Sequence, residues 1–188
     1  MSYKYSKGER ELGDIEYEDD PGTKINFEQD YVSFETSGNP VLTVSGSKVG
    51  IGTVTPNEVL QVAGNLKVAG NDPRLKIDGN VDSHPGLELY ENGARKWIVF
   101  NNYTNDNLNF KTNSNTRMSI TQAGNVGIGT QNPTSALDVD AISIRIRNSG
   151  APSSASDTGA QGEIRWDANY LYICVATNTW KRVALSAW

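Results

Sequence analysis

The sequence predicts an all-β protein of short strands, and three observations predict it. Apolar residues recur with a period of two in short runs such as Val41-Leu-Thr-Val44, Leu87-Glu-Leu89 and Leu108-Asn-Phe110; this spacing places one row of side chains on one face of a strand. Clusters of Gly, Asn, Asp and Pro, such as Gly70-Asn-Asp-Pro73 and Asp78-Gly-Asn80, separate the runs and supply turn geometry. No stretch of useful length carries the three-to-four spacing of an amphipathic helix.

Taken in order, the first 40 residues carry a block of acid, Glu9, Glu11, Asp14, Glu16, Glu18, Asp19 and Asp20. Like charges at this density favour a solvated, mobile arm over a metal site. Tyr3, Tyr5, Tyr17, Phe27, Tyr31 and Phe34 are the side chains through which residues 1–40 would attach to a neighbour, as aromatic anchors do at interfaces.

Residues 41–70 and 118–147 are two copies of one module. Val49-Gly50-Ile51-Gly52-Thr53, followed by Pro56, Leu60 and Val62, recurs as Val126-Gly127-Ile128-Gly129-Thr130, followed by Pro133, Leu137 and Val139, 77 positions later. A short alternating strand precedes each copy, Val41–Val44 and Met118–Ile120. Repetition at a fixed offset is a stronger signal than either copy alone. Val and Ile alternating with glycine predict a strand with one apolar row and a bare opposite face, where Gly50, Gly52, Gly127 and Gly129 admit another backbone at close range. Thr55-Pro56-Asn57-Glu58 has the capping residue, proline and glutamate of a single helical turn; Asn132-Pro133 repeats its start without the glutamate.

Residues 71–117, between the modules, read as further short strands; Leu75-Lys-Ile77 and Trp97–Phe100 alternate there as Leu66-Lys-Val68 does at the end of the first module. After the second module, Ile142, Ile144 and Ile146 alternate with polar or cationic residues. The Ser, Gly and Ala of residues 148–159 predict a linker. Residues 160–188 predict a three-stranded meander, Gly162–Trp166, Tyr170–Val175 and Trp180–Leu185, whose middle strand is apolar on both faces. A unit of this size cannot cover both faces alone and needs partners.

Composition narrows the function. A net charge of −5 argues against a nucleic-acid binder, whose phosphate contacts need a basic face. One cysteine, Cys174, permits neither an internal disulfide nor a thiolate metal cluster. The N-terminus lacks the apolar stretch of a signal peptide, and no run is long enough to cross a bilayer. We therefore expect synthesis in a cytoplasm and no membrane insertion.

Chemistry finds few footholds. His84, the one histidine, lies in the turn sequence Ser-His-Pro-Gly with no partner motif for acid–base or nucleophilic work. Asp78-Gly-Asn80-Val-Asp82 starts like a calcium loop, but Ser83 and Leu89 stand where glycine and an acid are needed, so an Asx turn is the better reading. Gly50-Ile-Gly52 lacks the third glycine and the helix of a phosphate loop. These absences lead to the expectation of a non-enzymatic chain with no cofactor and no metal.

The repeated Val-Gly-Ile-Gly-Thr-x-x-Pro-x-x-x-Leu-x-Val module, with Arg117-Met-Ser-Ile120 and Gly124-Asn-Val126 leading into its second copy, resembles repeats of phage tail fibres, tailspikes and similar virion appendages. The run from Gly162 to Val183 resembles the C-terminal unit of structural proteins from cyanophage-like viruses. The resemblance implies elongated, short-stranded modules forming an intertwined parallel homotrimer, with a small C-terminal β-meander as cap or tip. Many tailspikes end in an autocleaving chaperone domain; with so few residues before Trp188, self-cleavage is not expected here. Threefold symmetry rests on the resemblance, while the need to associate also follows from the one-sided apolar strands.

The expected role is a homotrimeric fibre or appendage subunit in the virion, made in the host bacterial cytoplasm. Its partners would be copies of itself, proteins of tail, neck or capsid reached through the N-terminal arm, and a host surface glycan or protein. Val49, Ile51, Leu60, Val62, Val126, Ile128, Leu137, Val139, Ile142, Ile144 and Ile146 would form the shared core. At the tip, Trp166, Tyr170, Tyr172 and Trp180 either plug that core or, with Lys181 and Arg182, meet an anionic glycan. A glycan-binding tip protein and a capsid decoration or neck protein are the alternative roles.

Overall fold

The computed structural model describes residues 15–17 and 19–188. Every regular element among the described residues is a strand, and the chain divides into two units, Met1–Lys76 and Ile77–Trp188.

The first unit holds a six-stranded sheet. β1 (Ile15–Tyr17), β2 (Asp20–Glu28), β3 (Tyr31–Thr36), β4 (Asn39–Ser45) and β5 (Lys48–Ile51) pair antiparallel in chain order. β6 (Leu60–Val62) then adds parallel to β5. The turns are set by residues that accept a left-handed backbone: Ser37 and Gly38, at φ 52° and 74°, join β3 to β4 as a two-residue hairpin turn requires. Phe27, Val32 and Phe34, which the sequence reading assigned to an arm, continue the strand alternation, so the sheet starts well before residue 41.

The second unit repeats the plan. β7 (Gly86–Glu91), β8 (Ala94–Asn102), β9 (Asn107–Lys111) and β10 (Thr116–Ile120) run antiparallel into β11 (Val126–Ile128), and β12 (Leu137–Val139) closes parallel to β11. Asn92-Gly93, both at positive φ, makes the β7–β8 turn. A separate three-stranded antiparallel sheet follows, formed by β13 (Ile164–Trp166), β14 (Tyr170–Ala176) and β15 (Thr179–Ala184).

Both copies of the module build the same crossover. A connection of eight residues takes the chain from β5 to a parallel β6, and again from β11 to β12. The carbonyl of Thr53 lies over Gly50, and that of Thr130 over Gly127, closer than any Cβ would permit. The bare glycine face expected from the sequence is thus filled by the chain's own backbone. Thr53 and Thr130 hydroxyls accept from the amides of Thr55 and Asn132 at 3.3 and 3.2 Å. From the next strand, Gln61 accepts from the Asn57 amide at 2.9 Å and Asp138 from the Thr134 amide at 2.8 Å. In the first copy these side chains satisfy the amides of Thr55 and Asn57, and Thr55–Glu58 makes a bend where the capping pattern predicted a helical turn.

Three further expectations fail locally. Leu66–Val68, Leu75–Ile77 and Ile142–Arg147 alternate as strands do, yet none of them is paired into a sheet among the described residues. Alternation specifies which side chains share a face; it does not supply the neighbouring backbone that a strand needs.

Packing is inverted relative to an ordinary domain. The most buried side chains of the two large sheets are polar: Ser33, Thr43, Asn109 and Ser119, each no more than 1% exposed. In register they form one row per sheet, Ser33, Thr43 and Gly50 in the first and Asn109, Ser119 and Gly127 in the second. The hydroxyls of Thr43 and Ser119 and both amide atoms of Asn109 have no hydrogen-bond partner there, a cost of about 1–3 kcal/mol for each buried group.

Candidate functional site

Alternation puts the opposite face of each large sheet in the hands of apolar residues. In the first sheet Ile25, Phe34, Leu42, Ile51 and Val62 are successive cross-strand partners, and Phe27, Val32, Val44, Val49 and Leu60 form the adjacent row. In the second, Leu87, Val99, Phe110, Met118, Ile128 and Val139 form one row, flanked by Leu108, Ile120, Val126 and Leu137. Among the described residues no layer covers either face: Phe34, Ile51, Leu60, Leu87 and Leu137 are 42–61% exposed. A monomeric protein does not normally leave so large a contiguous apolar surface in water.

The structure therefore brings together eight of the predicted core residues as four directly paired couples, Val49 with Leu60, Ile51 with Val62, Val126 with Leu137 and Ile128 with Val139. Ile142, Ile144 and Ile146 stand apart from them, 48% exposed or more. The sequence reading missed the contribution of β2, β3, β8 and β9 to these faces, although the alternation of Ile25 and Phe27 and of Val32 and Phe34 carried the signal.

The C-terminal unit is different, because it has a private core. Tyr172, Cys174 and Trp180 are buried on one face of its sheet. Residues of the Ser- and Gly-rich segment lie over them: the Trp180 indole donates to the Asp157 carbonyl at 3.1 Å, the Trp180 amide to Ala155 at 2.8 Å, and Gly159 sits against the indole ring. Arg165 stacks 4.7 Å from the Trp180 ring, and Arg182 lies 4.0 Å from that of Tyr170. Trp166 belongs to the other face by register and donates to the Ile146 carbonyl at 2.9 Å. The predicted tip residues are thus split, with Tyr172 and Trp180 inside, Trp166 and Tyr170 half-buried, and Lys181 and Arg182 exposed.

Hydrogen bonds to carboxylates organise this unit. Asp167 accepts from the Tyr172 hydroxyl and from the amides of Asn169 and Tyr170, each at 2.7 Å. The Tyr172 contact, first among these, holds the Asp167 carboxyl below its ordinary value and raises the phenol. The Ser153 amide does the same for Asp157, and Arg165 for Glu163.

Of the attachment candidates, Tyr3 and Tyr5 lie outside the described residues and Tyr17 belongs to β1 by its backbone. Phe27, Tyr31 and Phe34 are strand residues of the first sheet. His84 is wedged between Phe100 and Tyr103, ring centroids 5.2 and 4.8 Å away. Asp78–Ser83 makes a turn in which the Ser83 amide donates to the Asn80 carbonyl at 3.2 Å. No three His, Cys, Asp or Glu side chains gather as a metal site among the described residues, and no described helix is long and apolar enough to cross a membrane.

The all-β, short-stranded fold does not by itself name a protein class; comparison with known proteins, over part of the sequence, supports a tail-fibre-like or tailspike-like chain. The chain is 46% identical over 56 residues to a "Depolymerase, capsule K30/K69-specific" of Klebsiella phage K64-1, and 55% identical over 40 residues to a "Depolymerase 1, capsule K30/K69-specific" of Klebsiella phage K5-2. These matches take in 30% and 21% of this chain, which spans only 7% and 5% of the length of those relatives. No protein-family model matches.

The relatives correct one expectation. Both are named as depolymerases, which are glycan-cleaving enzymes, and this contradicts the reading of the chain as non-enzymatic. That reading rested on the want of a local motif, whereas the carboxylates of a glycan-cleaving site are brought together by folding and leave no fixed spacing in sequence.

Proposed function

We propose that the chain is a module of a homotrimeric phage tail fibre or tailspike, attached to the virion through its N-terminal region and serving an appendage that binds and depolymerises a host surface polysaccharide. The observation that carries this reading is the inverted packing: polar side chains inside each large sheet, apolar rows outside. Three copies running in parallel would turn those rows toward a common axis. Burying a side chain such as Ile51, 44% exposed in the single chain, contributes about 1 kcal/mol, and each sheet offers many such residues. The unpaired segments around Leu66 and Ile144 would find in neighbouring copies the backbone partners that their own chain does not provide.

Sedimentation equilibrium tests the assembly. The expected particle has three times the chain mass of 20.5 kDa, and a compact single-chain particle at micromolar concentration would overturn the proposal. The enzymatic side is tested on the whole appendage: release of reducing ends from K30 or K69 capsule is expected, and it should be lost from particles lacking this chain. Removing residues 1–14, which leaves every described strand in place, is expected to give a soluble trimer that no longer joins the particle.

A further inference from the structure

We propose that a cleft on the polar side of the second large sheet binds an acidic saccharide segment, its carboxylate held by Lys111 and Arg117 and its ring laid against Tyr103 and His84. The cleft has a volume of about 750 Å³, within the range of small-ligand sites. Its floor includes Ile98, Phe100 and Asn102, alternate residues of β8 and hence on the face opposite Trp97 and Val99. Association through the apolar rows would leave it open.

Charge selects the ligand. The chain as a whole is acidic, at −5, yet no carboxylate lines this cleft, while His84, Arg95, Lys111 and Arg117 do. Glu88 already takes Arg95, at 2.5 Å. Lys111 and Arg117 have no carboxylate within ion-pair distance among the described residues, so their charge is available to an incoming anion. The aromatic wall adds the sugar. Tyr103 is 44% exposed and leans on His84, whose Nδ1 accepts the Tyr103 amide at 3.4 Å. That contact leaves the proton of the neutral imidazole on Nε2 as a donor. An apolar ring surface beside fixed donors and two free cations suits a uronic acid in a polymer better than a neutral sugar.

The inference rests on the reading of the chain as part of a polysaccharide-binding appendage. Calorimetric titration of the full chain with oligogalacturonate, with neutral maltooligosaccharide and with single-stranded DNA tests it. Oligogalacturonate binding is expected, weakened about tenfold or more in the Lys111→Gln, Arg117→Gln double variant and retained by Lys67→Gln, which removes an exposed cation outside the cleft. Arg117→Gln alone and Tyr103→Ala, each checked for an unchanged melting profile, should weaken it in smaller steps. Equal affinity for the neutral oligomer, or no loss in the double variant, would overturn the site. DNA bound more tightly through the same two cations would overturn the saccharide as its ligand. A trimer that binds none of these sinks this inference alone, and a monomer that binds oligogalacturonate sinks the assembly alone.

Discussion

Asp138 accepts both the backbone amide and the hydroxyl of Thr134, at 2.8 and 2.9 Å, where Gln61 accepts the Asn57 amide in the first copy of the module. The Thr134 amide, then its hydroxyl, holds the Asp138 carboxyl below its ordinary value. A depressed folded pKa contributes stability above the unfolded value of about 3.9 and loses it as pH falls through the folded one. The second crossover is therefore expected to loosen in acid while the first, held by a neutral amide, does not. Amide chemical shifts of Thr134 and Asn57 followed by NMR through this range check it; parallel titration of the two would refute it, and Asp138→Asn should abolish the difference.

A Cβ on Gly50 or Gly127 would collide with the carbonyl of Thr53 or Thr130. Alanine at either position is expected to cost about 1–3 kcal/mol, the range for forced overpacking. Gly150, with open space around it and no left-handed backbone, is the control, and its alanine variant should stay within about 0.5 kcal/mol of the parent. Denaturant midpoints measured on all three decide the matter.

Gly159 faces the Trp180 indole, where a Cβ would come within 2.5–2.8 Å of ring atoms. Gly159→Ala should therefore disturb the C-terminal unit nearly as Trp180→Ala does, the latter by about 3–5 kcal/mol. Loss of near-ultraviolet tryptophan dichroism in both variants, with the large sheets retained in the far-ultraviolet, is the expected result. A native near-ultraviolet signal in Gly159→Ala would show that this segment does not pack on Trp180.

Ile51→Asp and Ile128→Asp place a charge on the apolar rows at residues 44% and 38% exposed in the single chain. In an isolated protomer such changes should cost about 1–2 kcal/mol, the burial these half-exposed side chains already have, and leave the fold in place. In an assembly built through those rows they bury an unpaired charge, so sedimentation is expected to show dissociated chains. A parental mass for both variants would exclude these faces from the interface.

Much of this architecture was legible in the residues. Period-two alternation identified the strands of both modules, the offset of 77 positions identified the repeat, and glycines between Val and Ile announced a backbone at close range. The alternation of Ile25, Phe27, Val32 and Phe34 was equally plain, but beside an acidic block it read as an anchoring arm. The cleft around His84 had no local signature, since Lys111, Arg117 and Tyr103 come from different strands and turns.

By itself the sequence determined the all-β class, the duplicated module and which residues share a face, because side-chain direction along a strand follows from chain position alone. Tertiary structure alone decided what lies on each face: that Thr53 and Thr130, from the same chain, fill the glycine side, that Asn109 and Ser119 are fully buried, and that among the described residues the apolar rows stay uncovered. These outcomes depend on where the chain returns after each turn. Local spacing does not encode that path, which is set by the pairing of distant backbones.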